Sequence, residues 1–202
     1  MSERKQELKR NIEELTRRSI LSAAMDLVEK EGLSKCTMDK VAEKAEFAKG
    51  TLYLYFKNKK TLFDSLIEFC FEPLEETMQE IIESDISPTE KLKKFILETA
   101  QFVHERKVFF RKLTDHSFKP IYEDYADKQS WFWRVIKLYA AIIEAGIATG
   151  EMRPVNSEKA AAYLIGALDV MIADIIIFND HENAEEAAKI STDIFINGIV
   201  LQ

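Results

Sequence analysis

The sequence is poor in cysteine, histidine, glycine and proline, and each shortage closes off a class of protein. Cys36 and Cys70 are its only cysteines. They make no disulfide scaffold and no metal-type pair spacing, so both are expected as reduced thiols in a cytoplasm. Three scattered histidines supply no metal set. There is no nucleophile elbow, no HExxH helix, no Walker loop and no glycine-rich dinucleotide turn. Without such machinery the chain is expected to be no enzyme and to need neither cofactor nor metal. Six glycines and four prolines leave no flexible linker or low-complexity tract, and no internal repeat or two-residue β-period appears. The first residues contain no apolar signal region. One long apolar run stands out, residues 160–178, AAAYLIGALDVMIADIIIF. Asp169 and Asp174 interrupt it, each costing about 2.5–3.5 kcal/mol at a bilayer centre, so it is expected inside protein and not in a membrane.

What is present is enough for a core and an uneven charge. At 202 residues, 47% of them hydrophobic, the chain suits a small head on a larger body. The formal net charge is −7, which argues against an indiscriminate nucleic-acid coat. Residues 1–68 hold 14 basic and 12 acidic residues, and the remainder 14 and 23. A near-neutral to basic head on an acidic body fits a protein that meets DNA with one end.

That end centres on residues 37–58, TMDKVAEKAEFAKGTLYLYFKN. Thr37 stands where a hydroxyl can cap a helix N-terminus. Val41, Ala42 and Ala45 make one apolar face. A turn at Glu46-Phe47-Ala48 leads to a second short helix in which Leu52 and Phe56 face inward, while Lys49, Thr51 and Tyr53 face out. One cation and two hydroxyls suit phosphate oxygens and base edges, and Gly50 leaves room for close approach of a sugar-phosphate strand.

This stretch resembles the helix-turn-helix of the TetR family of bacterial transcriptional regulators. The matching residues are Thr37, Val41, Ala42, Ala45, the run Lys49-Gly50-Thr51-Leu52-Tyr53, then Tyr55-Phe56, Lys57, Lys59 and Leu62-Phe63, within a likeness from about Arg17 to Leu66. Two positions depart from the family pattern. Glu46 replaces a glycine whose turn favours positive φ, and Ala48 replaces a capping serine or threonine, a loss of roughly 0.5–2 kcal/mol at that helix end. The resemblance implies an all-α fold of about nine helices. It implies a DNA-binding domain over residues 1–66, with its helix-turn-helix at about 37–56, and a ligand-binding and dimerisation domain over 67–202. It also implies a DNA surface made of Thr37, Lys49, Gly50, Thr51, Tyr53, Tyr55 and Lys59, with Tyr55 able to pack inward instead.

The remaining helices are legible from caps and spacing. Leu8, Ile12 and Leu15 stand at helical spacing ahead of a core stripe from Ile20 to Val28, and Gly32 ends that helix. The flanking basic residues, Arg4 to Arg18, read either as a solvated face or as an arm toward DNA. Asn58 caps a long helix that Pro73 is expected to kink. Ser87-Pro88-Thr89-Glu90 and Asn183-Ala184-Glu185-Glu186 are capping boxes. A long helix ends at Gly150, and Asn156 or Ser157 opens the apolar run.

Two features of the body point to function. Its aromatic residues exceed what a small core needs, and an aromatic-lined pocket is a common small-molecule site. The resemblance makes such a pocket expected, with Phe102, Phe109, Phe110, Tyr122, Trp131 and Tyr139 as its lining. The last two helices are too apolar for one body to cover, so they are expected to pair with the same helices of a second chain about a two-fold axis. Asp169 and Asp174 fall either in that interface or in the pocket, each needing a donor partner. The resulting expectation is a cytoplasmic, homodimeric repressor released from operator DNA by a small-molecule effector. The alternative is a DNA-binding protein of the same fold without a ligand switch, such as a nucleoid or division factor. A further reading is a ligand-binding body whose altered turn has lost its operator.

Overall fold

The computed structural model describes residues 3–117, 131–178 and 184–200. Among these, nine α-helices run in order: α1 Glu3–Glu31, α2 Met38–Lys44, α3 Lys49–Tyr55, α4 Lys59–Glu83, α5 Pro88–Glu105, α6 Lys107–Ser117, α7 Trp131–Ala148, α8 Ser157–Ala173 and α9 Ala184–Ile199. Residues 3–72 with 112–117 form one compact unit, the head. Residues 73–111 with the described residues from 131 onward form the other, the body. Helix α4 carries residues of both, and Pro73 lies inside it.

The head is built on the second half of α1. Ile20, Ala24 and Val28 are fully buried there, with Val41 of α2, Leu52 of α3 and Leu66 of α4. Polar side chains fasten α1 to α4. Arg17 donates to Ser65 Oγ at 2.8 Å and lies 5.0 Å from the Phe56 ring centroid. Arg18 pairs with Glu72 at 2.8 Å and lies over Phe69. Gly32, at φ +86°, ends α1 where a side chain would strain the backbone, and its N–H donates to the Val28 carbonyl. Asn58 closes the N-terminus of α4 reciprocally with Thr61: the Thr61 N–H donates to Asn58 Oδ1 at 2.9 Å, and the Asn58 N–H to Thr61 Oγ1 at 3.2 Å.

The body packs α5 against α7 and α9, and α7 against α8. Its centre holds Phe95, Ile96 and Val103 of α5, Ile136, Tyr139 and Ile143 of α7, and Leu164 of α8. Both readable caps form as the residues dictate: the Glu90 N–H donates to Ser87 Oγ, and the Lys159 N–H to Asn156 Oδ1. Asn183 of the other capping box lies outside the described residues, as does Pro120. The apolar run is not one regular helix. After Ala173 the backbone widens into a π-turn, Asp174–Phe178. Arg111 Nε donates to the Ile176 carbonyl in this turn at 3.1 Å. No helix among the described residues is long and apolar enough to cross a membrane.

Candidate nucleic-acid interface

Helices α2 and α3 present the site, and the turn between them sets their angle. Thr37 caps α2, its Oγ1 accepting from the Lys40 N–H at 3.3 Å. Glu46 carries the turn at φ +60° and is the only non-glycine residue with positive φ among those described. The backbone thus adopts the conformation that glycine takes at no steric cost, and this chain holds it against roughly 1–2 kcal/mol of Cβ strain. Ala48 stands at the N-cap of α3 and provides no side-chain hydrogen bond. Helix α3 therefore begins with amides that only its own tight first turn covers, the Thr51 N–H donating to the Ala48 carbonyl at 2.9 Å.

Leu52 is fully buried and Phe56 nearly so, which fixes the inward side of α3. Lys49, Gly50, Tyr53 and Leu54 are exposed on the other side, while Thr51 and Tyr55 are half-buried at its margins. A Cβ added at Gly50 would meet no atom of the chain, so the space that this glycine leaves opens outward. Lys49 reaches back to Asp39 of α2, Nζ to Oδ2 at 2.5 Å, with both side chains largely in water. Such an exposed pair contributes about 0–1 kcal/mol and can be exchanged for another anion. Lys59 is half-buried. Its ammonium donates to the Leu33 carbonyl at 3.1 Å and sits 5.2 Å from the Phe63 ring centroid, tying α4 to the loop after α1.

Leu54 was absent from the residues expected at the surface, yet it is 84% exposed, the most of any large apolar side chain described. Its position was legible: residues 50, 53, 54 and 57 fall at i, i+3, i+4 and i+7, one face of a helix. Between α1 and α2 lies a shallow charged groove, where Lys40 holds Glu31 at 2.5 Å and Lys44 holds Asp26 at 3.3 Å. The Lys40 ammonium keeps the Glu31 carboxyl below its ordinary value. Cys36 is buried behind this groove. Burial pushes its thiol up to about 11, so it is an inert core residue.

In the body, the expected aromatic residues divide into two groups. Phe102, Phe109 and Phe110 pack edge to face, with centroids 6.2 Å apart for Phe102–Phe110 and 5.6 Å for Phe109–Phe110. Tyr139 packs separately against Phe95 at 5.2 Å, and its hydroxyl shares a 3.0 Å hydrogen bond with Thr99, whose Oγ1 also donates to the Phe95 carbonyl. Burial raises the Tyr139 hydroxyl well above its ordinary value, so it stays neutral. Tyr122 and the Trp131 side chain lie outside the described residues. Asp169 of α8 is partly buried, and desolvation pushes its carboxyl up to about 6. Asp174 begins the π-turn.

The last two helices leave an apolar face uncovered. Tyr163 and Val170 of α8 are 76% and 71% exposed, and Ile190 and Ile194 of α9 are 53% and 73% exposed. Gly166, Ala167 and Gly198 lie among them and are also exposed.

Residues 20–66, which span the buried half of α1 through the start of α4, match the model of the bacterial regulatory proteins of the tetR family. The chain has a TetR-family head. Likeness to other proteins extends beyond the head. A helix-turn-helix-type transcriptional regulator of Bacillus subtilis, YhgD, is 26% identical over 158 residues, 77% of this chain and 81% of that protein. The nucleoid occlusion factor SlmA of Vibrio vulnificus is 25% identical over 177 residues, 84% of this chain and 90% of that protein. A solved transcriptional regulator from Cytophaga hutchinsonii superposes with a TM-score of 0.68 at 25% identity, covering 90% of this chain and 97% of that one. A TetR-type head and an all-α fold are thereby established, and the chain is a DNA-binding transcriptional regulator.

Proposed function

We propose that this TetR-family chain is a homodimeric repressor that reads a two-fold operator through α3 and is released by a small molecule bound in its body. The observation that carries the reading is the outward face of α3. It presents a cation, a glycine with open space above it, a tyrosine and a leucine on a helix whose inner side is anchored by Leu52 and Phe56. Phosphate oxygens would take Lys49 from Asp39, an exchange of one exposed pair for a stronger field. Thr37 and Tyr53, both exposed, would bind backbone or base edges. Thr51, Tyr55 and Lys59 would act from the margin, mainly by fixing α3 and the start of α4. The exposed apolar faces of α8 and α9 support pairing with a second copy, which would hold two heads over two half-sites.

A second reading has its own support. Of the aromatic residues expected to line a pocket, Phe102, Phe109 and Phe110 pack on one another and Tyr139 packs on Phe95, and one relative that spans most of the chain is named a nucleoid occlusion factor. Both favour a DNA-binding protein that takes no effector. Calorimetry separates the readings, using a small molecule identified by native mass spectrometry of the purified protein. A ligand switch requires operator DNA to weaken binding of that molecule by the same factor, about 5–150-fold, by which it weakens operator binding. Equal affinities with and without operator would favour the second reading.

A further inference from the structure

Before it reaches the head core, α1 runs through about three turns in which every residue from Arg4 to Leu15 is exposed. Leu8, Ile12 and Leu15, at 59%, 55% and 68% exposure, are three large apolar side chains in water. Their spacing of four and three is the alternation of a coiled-coil seam. This seam does not prolong the stripe that builds the head. At about 100° per residue, it lies roughly 120° around the helix from Ile20, Ala24 and Leu27. It therefore cannot join the head core while α1 stays one helix.

The charges of the segment are sorted about the seam. Arg4, Lys5 and Lys9 lie nearest it, within about 95° of its midline, whereas Glu7, Glu13, Glu14 and also Arg10 lie farther round on the same angular count. Lys9 has only the i,i+4 contact with Glu13, at 3.6 Å and well exposed. A second copy of the segment would bring cations to cations nearest the seam, with Glu13 the one carboxylate beside the Lys9 flank. A bilayer calls for a broad apolar face, and this one is a narrow a/d stripe. DNA would gain from the cations but leave the three apolar side chains in water.

We propose that residues 4–15 of α1 form a docking surface for an acidic amphipathic helix of another protein: one with an apolar seam of its own, flanked by Glu or Asp. The apolar seams supply burial, and the flanking pairs select the partner's charge and register. The contact is short, so it suits a reversible interaction.

The probe is a labelled helical peptide of three heptads with Leu and Ile in its seam and Glu beside it, titrated into the full chain by fluorescence anisotropy. A peptide with Lys in place of Glu is the control. The acidic peptide should bind, and the Lys peptide should bind more than about tenfold more weakly. Ile12→Ser with Leu15→Ser should abolish binding. Both residues are exposed, so circular dichroism and melting should not change. Arg4→Glu with Lys5→Glu and Lys9→Glu should reverse the preference toward the Lys peptide. Failure of the acidic peptide to bind, or binding indifferent to the seam substitutions, would overturn the proposal. So would self-association of the chain that Ile12→Ser with Leu15→Ser removes, co-sedimentation with phosphatidylglycerol vesicles that those substitutions remove, or a loss of duplex DNA affinity that they alone produce.

Discussion

Replacing Ile194 by lysine should separate the proposed dimer. Ile194 is 73% exposed in the single chain, at the centre of the bare face of α9. Burying an isoleucine side chain is worth about 1.5–3 kcal/mol, and a two-fold interface counts it twice, so about 3–6 kcal/mol is lost before any charge is considered. Each new ammonium must also leave water or reach the rim with its stem, which makes this a lower bound. Even about 3 kcal/mol raises the dimer dissociation constant more than about 100-fold. Sedimentation equilibrium at micromolar concentration reads this directly, and circular dichroism checks that helix content is kept. Operator affinity should fall with dimerisation and much further than one lost contact explains, because two half-sites would no longer be held together. A variant that sediments as the parent does would refute the placement of the interface on α8 and α9.

Other outcomes follow from single positions. Glu46→Gly relieves the αL strain at φ +60° but loosens the unfolded chain, so a net gain of a few tenths to about 1 kcal/mol is expected in denaturant melts; Ala48→Ser, which supplies the missing cap of α3, should add about 0.5–2 kcal/mol. Asp169 binds its proton more tightly folded than unfolded, with a folded value of about 6, so its stabilising influence is complete at low pH and is lost as pH rises through 6. Asp169→Asn should therefore stabilise the protein by on the order of 1 kcal/mol at pH 8, the carboxylate being still partly in water, and the difference should vanish toward pH 4 in paired melts. Leu54→Ala should leave the melting temperature unchanged, since the side chain is 84% exposed, while lowering affinity about five- to tenfold for operators with thymine at one position, as expected if the leucine packs on a thymine methyl.

Where one residue controls local geometry, the sequence could be read closely. Thr37, Asn58, Ser87 and Asn156 cap the helices they precede, and Gly32 and Gly150 take positive φ just after helices. The turn at Glu46 shows the same rule from the opposite side: the family's glycine is gone, yet the backbone has kept its conformation. Burial of Leu52 and Phe56 also followed from spacing. Less legible was what a polar side chain does once its neighbours arrive. Lys59 is drawn to the Leu33 carbonyl, and Lys49 to Asp39, partners that no periodicity announces. The π-turn after Ala173 was hidden because hydrophobic pattern does not report a change of helix pitch. Likewise, the aromatic residues of a body can line a cavity or fill a core, and composition does not distinguish the two.

The most direct test of DNA reading by α3 is selection of duplexes from random DNA by the full chain, followed by titration of the enriched site with Lys49→Ala and Tyr53→Phe. The predicted result is a two-fold site with half-sites about one helical turn apart, bound more than about tenfold more weakly by Lys49→Ala, more weakly also by Tyr53→Phe, with melting temperatures unchanged. Enrichment of no site, or binding by both variants equal to that of the parent chain, would contradict it.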